Sequence, residues 1–113
     1  MRAGDIVLVP FPFSDLQTVK KRPALILLET QWPPKIQILS IAMITSKIDG
    51  IRLASDVLLK DWEAGHLIHP SMVRLAKMAT IDADLVQEPL GSLSKRDFLA
   101  VKKSFGKLFV DWI

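Results

Sequence analysis

Two apolar runs, residues 6–10 (IVLVP) and 23–28 (PALILL), stand on either side of a loop that ends on three consecutive cations, Lys20, Lys21 and Arg22. Aliphatic and β-branched residues at this density favour a half-buried pleated surface. Pro10, Pro12, Ser14 and Asp15 supply the turn chemistry that starts the loop. Arg22 directly precedes Pro23, and a residue before proline is pushed towards extended backbone. The pattern predicts two strands of one core, with Arg22 as the first residue of the second and its guanidinium aimed by the sheet. An arginine held this way beside two lysines is a site for a phosphate or a carboxylate.

The rest of the chain repeats short apolar segments between turn signals. Residues 30–35 (TQWPPK) read as a turn, since adjacent prolines cannot continue a ladder. Residues 36–44 (IQILSIAMI) read as a third strand, with Thr45, Ser46 and Lys47 where it leaves the core. After the Asp49-Gly50 turn signal, residues 51–53 and 56–59 read as short paired strands. Residues 61–65 (DWEAG) fit a single helical turn closed by glycine. Residues 71–77 and 78–81 fit two further strands, and 91–93 a last one. One long helix starts at Ser94, whose partner three residues on is Asp97. Phe98, Val101, Phe105 and Leu108 recur at helical spacing, with Phe109 widening the stripe and lysines on the other faces. Those lysines suit a nucleic-acid surface or, more simply, a solvated helix face. The predicted fold is mainly β with one C-terminal α-helix: a short, strongly bent antiparallel sheet that curls into a small, partly open barrel to hide its edges.

At 113 residues the chain suits a single domain, residues 1–113, with one core. Half of it is apolar and 24% is charged, the balance of a globular protein. No apolar run approaches the roughly 20 residues of a membrane span, and the first residues lack a signal-peptide pattern, so no membrane partner and a cytoplasmic location are expected. The absence of cysteine excludes disulfides and thiolate metal sites. A net charge of +3 is compatible with a polyanionic partner. His66 and His69 stand three apart in GHLIHP. Such a pair suits acid–base cleavage of RNA, but Gly65 and Pro70 bracket it in a loop and no third ligand matches, so no metal and no cofactor are expected. Trp32 and Trp62 suit base stacking, although core or interface packing is the simpler role for both, as for Trp112. Arg74 suits either a carboxylate partner or the groove.

The run GDIVLVPFPFSDL followed by KKRPALIL resembles the opening of the MazF/PemK family of toxins from type II toxin–antitoxin systems. The resemblance continues through ITSKI at residues 44–48 and DWEAGHLIHPSMVRLAKMATID at residues 61–82. It implies a small SH3-like partly open barrel (CcdB/MazF-like) with a C-terminal α-helix. It also implies a metal-independent, sequence-selective endoribonuclease (mRNA interferase) acting on single-stranded RNA through the neighbouring 2′-hydroxyl, giving a 2′,3′-cyclic phosphate and a 5′-hydroxyl. A homodimer and a cognate antitoxin protein are implied as well. By the same resemblance Arg22 and Thr45 match the catalytic arginine and threonine. Lys20, Lys21, Ser46, Lys47, Phe13 and Asp15 are the candidate RNA contacts. The loop of residues 13–21 has its own length and content, so the cut sequence is not carried over.

The chemistry can be weighed without the family. Phosphodiester transfer needs removal of the 2′ proton, charge stabilisation at phosphorus and protonation of the leaving oxygen. Arg22, with five donors and a permanent charge, suits the second role and is a poor general base. The Thr45 hydroxyl suits orienting the 2′-hydroxyl or bonding a phosphate oxygen; alone, it reads as a strand-end hydroxyl bonded to its own backbone. Two other functions stay open: a CcdB-like toxin that binds DNA gyrase and cuts nothing, and a domain that binds RNA without cleavage.

Overall fold

The computed structural model describes residues 1–12, 19–32 and 35–113. Six strands form one antiparallel sheet: β1 (Asp5–Pro12), β2 (Val19–Trp32), β3 (Ile36–Thr45), β4 (Asp56–Leu58), β5 (Met72–Asp82) and β6 (Glu88–Ser92). The helix α1 (Lys95–Leu108) follows. The strands lie in the order β4-β5-β3-β2-β1-β6. The end strands β4 and β6 do not pair, so the barrel stays partly open. No helix among the described residues is long and apolar enough to cross a membrane.

Side-chain alternation builds two cores. Ile6, Leu25, Ala42 and Ile44 face inward and meet Val101 of α1. Val7, Val9, Ala24, Ile26, Leu39 and Ile41 face the other way. The far half of β5 bends over this second set and covers it with Ala79 and Ile81. The bend is written in the pairing: as β3 steps from Ala42 to Met43, its partner on β5 jumps from Met78 to Arg74. Extra residues on one strand kink it and raise its twist. What the sequence suggests as two strands, 71–77 and 78–81, is therefore one strand with a bulge. Burial of β1 to β3 on both faces explains their near-continuous apolar runs.

Several boundaries differ from the sequence expectation. β2 begins at Val19, because Lys20, Lys21 and Arg22 pair with Phe11, Pro10 and Val9 of β1; Arg22 is its fourth residue and not its first. The turn at residues 30–35 shortens, because Thr30 and Gln31 pair with Ile38 and Gln37. Residues 51–53 form no strand, and β4 pairs with β5 instead. Arg74 holds this segment by donating to Asp56 Oδ2 at 3.1 Å and to the Ile51 carbonyl at 3.0 Å. The last strand is Glu88–Ser92 and not 91–93.

The helix also docks differently. Ser94 caps it, accepting from the Asp97 N–H at 3.3 Å. Yet Phe98, Phe105 and Leu108 stay exposed, and the buried face is Asp97, Val101 and Ser104. The Asp97 carboxylate accepts the backbone N–H groups of Lys60 and Asp61 at 3.0 and 2.8 Å. Ser104 Oγ donates to the Ser55 carbonyl at 2.9 Å. Directional hydrogen bonds to the 55–61 backbone set the helix position, so the most apolar stripe does not turn inward.

Candidate functional site

Thr45 is the last residue of β3, opposite Met72 of β5. The β2–β3 ladder ends at Ala24 opposite Met43, next to Pro23, which has no N–H to give. Continued for two residues, the same register sets Arg22 opposite Thr45. Directly opposed residues share a face of the sheet. Arg22 and Thr45 line one groove of about 410 Å³, with Lys20, Lys21 and Ser46 beside them.

The opposite wall comes from residues 66–71, and two glycines let it approach. A Cβ on Gly65 would stand 2.4 Å from Ile6 Cδ1, and one on Gly91 would stand 2.8 Å from the Ala64 carbonyl oxygen. Bare backbone at both positions allows the single-turn helix Trp62–Gly65 to rest against β1 and β6. Its far end is braced to α1. Asp61 Oδ2 accepts from Ser94 Oγ and from Arg96 Nε, each at 2.6 Å, and its Oδ1 accepts from Arg96 Nη2 at 2.6 Å. The hydrogen bonds from Arg96 and Ser94 pull the Asp61 carboxyl from its ordinary 3.8 down to about 2.

The described residues lining the groove include Lys20, Lys21, Arg22, two histidines and the hydroxyls of Thr45, Ser46 and Ser71, with no carboxylate. Such a lining attracts anions and can hydrogen-bond phosphate oxygens. Thr45 is 5% exposed, and its Oγ1 accepts the Lys47 N–H at 3.1 Å. With one of its two lone pairs engaged, the hydroxyl keeps its proton to donate. Lys47 itself is exposed and lies outside the groove lining. Phe13 and Asp15 lie outside the described residues, as does the side chain of Trp32. Trp62 packs against the inward core, Trp112 is 85% exposed, and Arg74 is engaged with Asp56 away from the groove. Among the described residues no three His, Cys, Asp or Glu side chains gather to hold a metal ion.

Ser71 escaped the sequence reasoning, as did the backbone and ring placement of His66, whose acid–base role the sequence itself suggests. Ser71 is buried in the groove wall, its Oγ donating to the His69 carbonyl at 2.8 Å; a serine after proline at a strand start is the signal that could have found it. His66 adopts a left-handed backbone, φ 57°, and its Nδ1 is hydrogen-bonded to the Leu90 carbonyl.

A family model describing the PemK-like, MazF-like toxin of type II toxin–antitoxin systems matches residues 2–109. The chain belongs to this family. No curated protein sequence matches it. Among solved structures, this PemK/MazF-like chain is similar to the Mycobacterium tuberculosis toxin MazF-mt6. The two are 25% identical over 94% of this chain and 96% of that one, with a TM-score of 0.71. It is also similar to MazF from Deinococcus radiodurans (20% identity, 97% and 96% covered, TM-score 0.68). A MazE–MazF structure from the same organism matches at 18% identity, 96% and 94% covered, with a TM-score of 0.64. The six-stranded open barrel with its C-terminal helix is thus the MazF-like fold, and the chain is a MazF-like toxin of a type II toxin–antitoxin system.

Proposed function

We propose that this toxin is a metal-independent, sequence-selective endoribonuclease that cuts single-stranded RNA, including mRNA, by attack of the neighbouring 2′-hydroxyl. The observation that carries this is that Arg22 and Thr45 line one cation-rich groove. In the proposed mechanism the Arg22 guanidinium clamps two oxygens of the pentacovalent phosphorane, where its fork and fixed charge stabilise the added negative charge. Thr45, whose oxygen accepts from Lys47, donates a hydrogen bond from its hydroxyl to a phosphate oxygen. Lys20, Lys21, Ser46 and Lys47 hold flanking phosphates, and Phe13 and Asp15 belong to the loop that chooses the sequence. The products are a 2′,3′-cyclic phosphate and a 5′-hydroxyl.

Family membership and the MazE–MazF structures of Deinococcus radiodurans support a cognate antitoxin as partner. A cytoplasmic location and a homodimer are part of the same reading. The exposed Ile51, Trp112 and Ile113 are apolar surface for a second copy to cover.

The test is a long single-stranded RNA incubated with the purified protein and EDTA, beside Arg22→Ala and Thr45→Ala, with the ends mapped. Discrete cuts with cyclic-phosphate ends, lost in both variants, are expected. RNA left intact by the wild-type protein overturns the nuclease, and binding to DNA gyrase becomes the next assay.

A further inference from the structure

The His66 backbone is the only left-handed one among the described non-glycine residues. At the end of a short helix that conformation favours glycine or asparagine, and a bulky side chain holds it at a cost of about 1 kcal/mol or more. Glycine is present one residue earlier, where Gly65 lies against Ile6. Histidine at this strained position directs attention to what its ring does.

The ring is oriented. Its Nδ1 meets the carbonyl oxygen of Leu90 on β6. A carbonyl can only accept, so Nδ1 carries the hydrogen; in the neutral ring Nε2 is then the bare nitrogen. His66 lines the same groove as Arg22 and Thr45. The charged and titratable groups that share that lining are Lys20, Lys21 and Arg22 on β2 and His69 on its own loop, while β6 meets the ring with the Leu90 carbonyl. Neither Arg22 nor Thr45 is a competent base, so the groove needs a group to take the 2′ proton.

We infer that His66 is the general base of this groove: an imidazole fixed by Leu90 so that Nε2 accepts the proton of the attacking 2′-hydroxyl. The inference rests on the proposed nuclease function. In the step, Nε2 takes the 2′ proton and the 2′ oxygen bonds to the adjacent phosphorus. The P–O5′ bond breaks with its electron pair on the 5′ oxygen, which takes a proton from water, and the imidazolium returns its own proton to solvent. The Leu90 carbonyl steadies the imidazolium while it exists.

The discriminating variant is His66→Asn. Asparagine tolerates the left-handed backbone, and its side-chain N–H can replace Nδ1 towards Leu90, but nothing replaces Nε2. Cleavage of one RNA is followed in EDTA under single-turnover conditions across pH, with RNA binding and thermal melting measured alongside. The expected result is unchanged melting, binding within about twofold, and cleavage slower by about a hundredfold or more. The fall in rate on the acid side of the profile disappears with it. A variant that cuts within about threefold of wild type and keeps that acid-side fall overturns the base and leaves His66 an anchor for β6. If His66→Asn melts lower, His66→Gly is assayed with added imidazole: restored cutting supports the base, and no restoration in a folded variant overturns it. The nuclease is judged separately by Arg22→Ala on the same RNA; a wild type that cuts nothing removes both.

Discussion

The groove and the helix junction sit at the two ends of residues 61–71, and they handle charge in opposite ways. At the junction the carboxylates of Asp61 and Asp97 are matched within the chain. Asp97, 1% exposed, accepts two backbone N–H groups, and Asp61 is held by Arg96 and Ser94. In the groove, exposed Lys20 and Lys21 stand beside Arg22 in a lining without a carboxylate among the described residues. Like charges gathered on one surface oppose the compact state and favour an anionic partner. Matched and buried charge fixes geometry; clustered charge of one sign suits an anionic ligand. The junction therefore positions the wall against which the groove works.

The largest effect is expected at the junction. Asp97→Ala leaves the Lys60 and Asp61 N–H groups without their acceptor and removes a helix-start carboxylate, costing about 3 kcal/mol by urea unfolding. A loss under about 0.5 kcal/mol, the range of an ordinary surface change, would break the contrast between the two regions. Thr45→Val keeps the shape but loses the hydroxyl. Cleavage should slow by about ten- to a hundredfold, with RNA binding little changed and Thr45→Ser restoring much of the rate.

Much of this organisation was legible from residue patterns. The runs at 6–10, 23–28 and 36–44 announced buried strands because β-branched and aliphatic residues recur without a helical period, and Ser94 with Asp97 announced the helix start. Register was not legible: the convergence of Arg22 and Thr45 on one groove depends on how β2 and β3 align, and the jump from Arg74 to Met78 depends on a bulge. The helix face was misjudged for a related reason. Asp97 finds its partners 36 and 37 residues away, and no local period encodes that. His66 read as a loop residue because its value lies in a backbone angle and in a carbonyl on another strand.

The smaller effects sharpen the comparison through salt and pH. Replacing both Lys20 and Lys21 by alanine should lower the slope of log affinity against log salt by about 1.4, from roughly 0.7 for each lost single-strand phosphate contact. Filter binding at several salt concentrations measures it, and an unchanged slope would place the RNA elsewhere. Asp61, depressed to about 2, contributes stability that is present above the ordinary carboxylate range and lost as pH falls from about 4 towards 2. Asp61→Asn should flatten acid unfolding in that window, followed by circular dichroism, while leaving the neutral-pH cleavage profile in place.

The most direct test of the central claim is Arg22→Lys, assayed for RNA affinity and single-turnover cleavage in parallel. The charge survives in this variant and the two-pronged guanidinium does not. The clamp predicts affinity close to wild type and cleavage slower by about a hundredfold or more. Cleavage at the wild-type rate would show that a point charge suffices and would contradict the clamp.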